Sequence, residues 1–273
     1  MSINTKKIIL VNLGDVSTGS VTKEKLHEMK ANGLNVFLWG APIDANQNCD
    51  VLEKFQWVEA NLGSEWVEKI IIASDKTMIK GSDAEEDTEN FILVDQDGVL
   101  ANFDQAFLDR FRELYPDSPF IPLIERRTFY PADDYAKRGH DRNKMKEIYG
   151  GEGFFLKLPL ILGAKEALNE MVEAGLKVFI CTAPIGAYQN CVLEKFQWVK
   201  ANLGPEWVEK VILTSDKTVI KGRVLIDDKP KITGSNPNPE WTHVIFDQPY
   251  NREIMDKERL VMWSDWRQVL NLL

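Results

Sequence analysis

FILVDQDG, residues 91–98, sets four continuous apolar residues against an Asp-x-Asp-Gly cluster, and this junction decides the fold. A strand that is apolar at every position, rather than at every second one, is buried on both faces, as strands of parallel sheets are. The polar cluster then falls at a carboxyl strand end. Outward along the chain the pattern recurs: residues 177–181, 210–213, 224–226 and 243–246 are short and nearly continuous in apolar character. Between them, residues 164–174 and 191–202 repeat apolar positions at three and four, with Gly175 and Gly204 as helix stops. Strands alternating with helices predict an α/β fold with a doubly wound parallel sheet, whose ligands bind beyond the carboxyl ends of the strands.

Four strand ends therefore carry the interest. They offer Asp95-Gln96-Asp97-Gly98, Thr182, Ser215-Asp216-Lys217 and Asp227-Asp228. Singly, each has an ordinary structural explanation as a turn, a solvated cap or a helix N-cap. Together, in one order at one sheet edge, they suit attack by a carboxylate on a phosphate monoester. The two anions repel, so a hard cation held by oxygen ligands must lie between them, and Asp95 and Asp228 can supply that site. Lys217 and the Thr182 hydroxyl would hold the phosphoryl oxygens. Asp97, two residues past the nucleophile Asp95, is placed to protonate the leaving oxygen and then to activate water.

This ordered set resembles the haloacid dehalogenase-like phosphohydrolases. ILVDQDGVLANF, ERRTFYPADDY, VFICTAPI, EKFQWV, ILTSDKTV and LIDDKP resemble more narrowly the 5'(3')-deoxyribonucleotidases, cytosolic and mitochondrial, over about residues 91–270. The resemblance implies an Mg²⁺-dependent enzyme with Asp95 as nucleophile and metal ligand. It makes Asp97 the general acid/base, with its backbone carbonyl on the metal. Asp228 completes the metal site, with Asp227 as a further candidate ligand. It also implies a helical cap inserted at about 100–163 that closes over base and sugar, with Phe103, Phe129, Tyr130 and Tyr149 at base-contacting or neighbouring positions. Core packing is the alternative role for these four rings. An apolar pocket with few polar anchors suits deoxyribose. Two positions depart from the family: Ala183 replaces a serine beside the phosphate-binding threonine, and Pro131 replaces a small apolar residue. Lys195 and Lys229 are open to two assignments, as added positive charge near the phosphate or as surface lysines.

The chain also contains its own partial copy. VLEKFQWVEANLGSEWVEKIIIASDKTMIKG, residues 51–81, returns at residues 192–222 with six differences, and residues 23–49 parallel 165–191. We expect residues 1–85 to be a degenerate partial repeat of the α/β core without a cap. An acidic linker at 86–90 then leads to the phosphatase domain at 91–273. In the first copy Asn12 stands for Asp95, Gly14 for Asp97 and Gly40 for Thr182, and Lys76 matches Lys217. Glu86 and Asp87 lack the apolar strand that would present them. An asparagine cannot form this covalent intermediate, so the first copy is expected to be inert. Three strands bury too little to stand alone, which leaves docking on the catalytic domain or on a second chain, as in a homodimer.

With 42 acidic against 33 basic residues the net charge is -9, which disfavours binding a long polyanion. The expected partner is a small-molecule substrate, not a nucleic-acid polymer or a membrane. Three cysteines without zinc-ligand spacing or a disulfide framework suit the cytoplasm. The alternatives are the same chemistry on another small phosphomonoester, and, in a different class, a noncatalytic binding or assembly module.

Overall fold

The structure, a computed structural model, describes residues 7–42, 50–81, 88, 90–186 and 188–271. Among the described residues nine strands run β1 Ile8–Asn12, β2 Asn35–Gly40, β3 Ile70–Ile72, β4 Phe91–Val94, β5 Lys177–Thr182, β6 Val211–Thr214, β7 Val224–Asp227, β8 Thr242–Phe246 and β9 Arg259–Leu260. They form one sheet in the order β1-β2-β3-β6-β5-β4-β7-β8-β9. Every neighbouring pair is parallel except β3 and β6, which are antiparallel. Full burial of β3, β4, β6 and β7 at every residue is what their unbroken apolar runs require.

The α-helices pack on one face of the sheet, in the cluster that holds Leu26, Phe55, Leu168 and Trp198, while 3-10 turns bearing Met78 and Val219 and the loop bearing Trp241 cover the other. Ala164–Glu173 and Tyr188–Asn202 supply the crossovers expected from the three-and-four spacing. Between β4 and the first of these lie the helices Phe103–Leu114, Pro131–Ala136 and Arg142–Gly150, in the region expected to form a cap. Pro131 begins its helix at a position where the missing amide hydrogen costs nothing. Among the described residues no helix is long and apolar enough to cross a membrane.

The first copy is not a separate body. Its strands continue the catalytic sheet through the β3–β6 pairing, and Phe37, Ile71, Met78 and Ile79 share one apolar cluster with Phe91, Ile212, Val219 and Ile220. That cluster supplies the burial that three strands lack alone. Because β3 and β6 run in opposite directions, Asn12 and Gly40 end their strands at the sheet edge opposite Asp95. Most of the expected linker, with Glu86, Asp87 and Cys49, lies outside the described residues. Cys181 and Cys191 are free and buried.

Candidate active site

The strand order places β6, β5, β4 and β7 side by side, so their carboxyl ends converge. Asp95 directly follows β4, and its backbone N–H donates to the Ile226 carbonyl of β7 at 2.9 Å. Asp227 ends β7 and Asp228 follows it. Lys217 opens a short 3-10 turn, Lys217–Val219, just after β6. Gly98 has φ of +77°, and a side-chain carbon there would collide with the Asp228 carboxylate. Glycine is what lets the Asp-x-Asp loop lie against the second acidic pair.

The Lys217 ammonium lies 2.8 Å from Asp95 Oδ1 and 2.6 Å from Asp227 Oδ2. Burial alone would lower its pKa, but Asp227 and Asp95 outweigh that and hold the ammonium above its ordinary range. Asp95, Asp227 and Asp228 each bring a carboxylate oxygen within 4.8 Å of the others. Burial raises the pKa of Asp95, and burial together with Asp227 and Asp95 raises that of Asp228 well above the usual carboxylate value. Ionised together, three carboxylates facing one ammonium would carry a surplus of two negative charges in a buried place, which is why burial resists it. A dication matches that surplus, and Mg²⁺ accepts such hard oxygen donors.

The donor set narrows further by counting partners. Both oxygens of Asp227 already accept hydrogen bonds, from Lys217 Nζ at 2.6 Å and from the Lys229 backbone N–H at 2.8 Å. Asp228 Oδ1 is buried without a partner, while the Tyr250 hydroxyl donates to its other oxygen. An orphaned buried carboxylate oxygen is costly unless a cation completes it. Asp95 and Asp228 thus fit a metal, with Asp227 better placed to hold Lys217.

Lys195 is the residue that sequence spacing left undecided. It lies on the helix Tyr188–Asn202 and is fully buried, at 0% exposure. Its ammonium is paired with the Asp97 carboxylate, donates to Thr182 Oγ1 at 2.9 Å and lies over the Phe155 ring. Burial raises the pKa of Asp97, against the opposing pull of Lys195. Thr182 therefore sits behind the cleft under Lys195, while its neighbour Ala183 lines it. A signal was available in its neighbours: Cys191, Val192, Phe196, Trp198 and Val199 are buried around Lys195. Glu194 is buried as well and accepts backbone N–H groups of Gly153 and Phe155.

A cleft of about 590 Å³ opens above these groups. Phe103, Phe129, Tyr130 and Tyr149 all line it, with Pro131 and Ile185. Tyr149 packs on Phe103 with ring centroids 5.5 Å apart, and burial pushes its hydroxyl pKa up to about 12. Phe129 meets Tyr250 edge to face, while Tyr130 is 46% exposed at the rim. The loop bearing Phe129 and Tyr130 hangs on Arg126, which sequence spacing did not single out. This buried guanidinium pairs with Asp104 and Asp134, and donates to the Thr128 and Phe129 carbonyls. Arg126→Leu strands both carboxylates, so a loss of about 3–5 kcal/mol in unfolding free energy is expected. Urea melts at neutral pH measure it; a variant within 1 kcal/mol of the parent, as an exposed pair would give, contradicts it.

Residues 89–273 match the family model described as 5' nucleotidase, deoxy (pyrimidine), cytosolic type C protein. The chain belongs to this deoxyribonucleotidase family. A Bordetella pertussis protein is 45% identical over 179 residues, 66% of this chain and 94% of that one. The human 5'(3')-deoxyribonucleotidase of cytosolic type is 44% identical over 66% of this chain and 92% of its own length. Its human mitochondrial counterpart is 41% identical over 66% and 82%. Membership in the deoxyribonucleotidase family makes the chain a phosphomonoesterase, acting on a small-molecule phosphate.

The deoxyribonucleotidase match begins after the first copy, and that copy's own strand ends have a different chemistry. Asn12 accepts the Gly14 N–H at 2.7 Å and starts the helix Leu13–Ser17. A side-chain carbon at Gly40 would meet Leu13 Cδ1 at 3.1 Å and Lys54 Cδ at 3.3 Å. Lys54, aligned with Lys195, donates instead to the Ala41 carbonyl at 2.9 Å. Leu13 and the aliphatic stem of Lys54 thus crowd the position that the Thr182 side chain has in the second copy.

Proposed function

We propose that this chain hydrolyses deoxyribonucleoside 5'(3')-monophosphates to deoxyribonucleoside and phosphate, with Mg²⁺ and through an aspartyl phosphate on Asp95. The observation that carries the proposal is the buried strand-end cluster, in which Asp95 lies between Lys217 and an incompletely satisfied Asp228. Asp95 and Asp228, with the Asp97 backbone carbonyl, would hold the cation. The cation would screen the attacking carboxylate from the phosphate dianion.

An Asp95 carboxylate oxygen attacks phosphorus as the bond from phosphorus to the nucleoside oxygen breaks. Asp97 gives its proton to that leaving oxygen. Asp97 then takes a proton from water, the water oxygen attacks phosphorus, and the bond to Asp95 breaks to free phosphate. Lys217 balances charge on the phosphoryl oxygens. Thr182 acts one step removed, by fixing Lys195 against Asp97. Residues 1–85 take no part in this chemistry, a proposal supported by Asn12 and the filled space at Gly40. The cytosolic-type relative and the free cysteines support a cytoplasmic setting.

The aromatic walls support the choice of sugar. A 2'-hydroxyl entering an apolar wall loses its water without gaining a partner, so kcat/KM for dUMP should exceed that for UMP by about 10- to 100-fold. Phosphate release from dUMP, dTMP, UMP and sugar phosphates, each with Mg²⁺ and with EDTA in excess, tests this. Equal rates on UMP and dUMP would remove the deoxyribose assignment. Turnover that survives EDTA would remove the magnesium one.

A further inference from the structure

The junction between β3 and β6 obeys a symmetry that the sheet does not require. Val51 to Gly81 align with Val192 to Gly222 without a gap, so Ile72 corresponds to Leu213 and Ile79 to Ile220. These are the residues that face each other: Ile72 pairs with Leu213 and Ile79 with Ile220, both antiparallel. The Lys80 N–H donates to the Val219 carbonyl and the Lys221 N–H to the Met78 carbonyl, both at 2.7 Å. Exchanging aligned residues turns each bond into the other. The aligned helices Asp50–Asn61 and Tyr188–Asn202 also pack together, with Phe55 against Tyr188.

A contact that is unchanged when aligned residues are exchanged is isologous, the kind that closes a two-fold dimer. It requires one surface to be self-complementary. The strands agree in register as well: Leu38 pairs with Ile70 as Ile180 pairs with Val211, and Ile8 with Asn35 as Phe91 with Lys177. Side chains at the junction keep their type between copies at Ile71 and Ile212, Met78 and Val219, and Lys80 and Lys221, and change it at Ala73 and Thr214.

We propose that the first copy occupies, within one chain, the place of a second catalytic unit. The β6 edge of residues 90–273 is self-complementary, and the intact chain is monomeric because its own residues 7–81 cover that edge. A catalytic unit freed of them pairs with another copy, β6 against β6. Eight residues separate Gly81 from Asn90, and a tether this short gives an effective concentration of about millimolar, which a second chain cannot match. One contact favours the internal partner further: Tyr188 donates to Glu59, whose counterpart is Lys200.

Light scattering coupled to gel filtration decides the matter over a dilution series, with dUMP turnover as the folding control. The intact chain is expected at its monomer mass of 31.2 kDa. Residues 90–273 form a region that in the human cytosolic relative accounts for nearly the whole protein, and they are expected at twice their monomer mass. Ile220→Lys in that fragment should restore the monomer. In the intact chain, Ile72→Lys with Ile79→Lys should release the first copy and double the mass. A dimeric intact chain, or an active fragment that stays monomeric at every concentration, overturns the proposal. Should the fragment be inactive, the intact double variant decides, a dimer supporting the proposal and a monomer overturning it.

Discussion

Asp95→Asn in the intact chain is expected to lower kcat on dUMP by about 10⁴-fold or more, leaving the fold unchanged. The substitution keeps size and shape, and an amide oxygen can still accept the Gln96 N–H that Asp95 Oδ1 accepts at 2.8 Å. What it removes is the nucleophile and one of two carboxylates fitted to the cation. The chain carries the same replacement already: Asn12 occupies the corresponding strand end and caps a helix. Asp95→Asn therefore leaves two asparagine-bearing strand ends and no competent site. Acid quenching during turnover should trap phosphate on the Asp95 peptide of the parent and none on the variant. A variant within about tenfold of the parent rate would transfer the nucleophile elsewhere and reopen the role of residues 1–85.

The strand ends were legible because buried parallel strands write themselves as unbroken apolar runs, and Asp95, Lys217 and Asp228 come just after such runs. The side on which a residue points was not legible. Thr182 ends β5 as expected, yet its hydroxyl turns to Lys195 and its neighbour Ala183 lines the cleft. Successive strand residues alternate faces, so an error of one position at a strand end exchanges a lining residue for a buried one. β9 left no trace either, being two residues long and tied down by Arg259, which donates to Asp247 and Asn251.

Long-range polar contacts were the other hidden class. Arg126 lies in a run of charged residues that suits a solvated surface, and only folding brings Asp104 and Asp134 around it. The repeat was plain, but not its consequence, because no local pattern tells β3 to pair antiparallel with β6. That pairing sets the degenerate strand ends at the far edge of the sheet, where Asn12 and Gly40 cannot interfere with Asp95.

Lys195→Met is expected to lower kcat by about 10²- to 10³-fold while changing KM far less. Methionine matches the length of the stem and keeps the contact with Phe155, so the buried volume is conserved. The charge is lost. Asp97 then has no cation beside it and Thr182 Oγ1 no donor, in a place where burial already disfavours the carboxylate. The step that needs Asp97 as a base suffers, because the carboxylate is both harder to form and free to turn. Asp97→Asn separates this account from simple loss of packing. If Lys195 acts through Asp97, the double variant turns over no slower than Asp97→Asn alone, since the lysine has nothing left to position. Fully multiplicative losses would mean that Lys195 acts independently of Asp97, by direct contact with the phosphoryl group or through the packing of its helix.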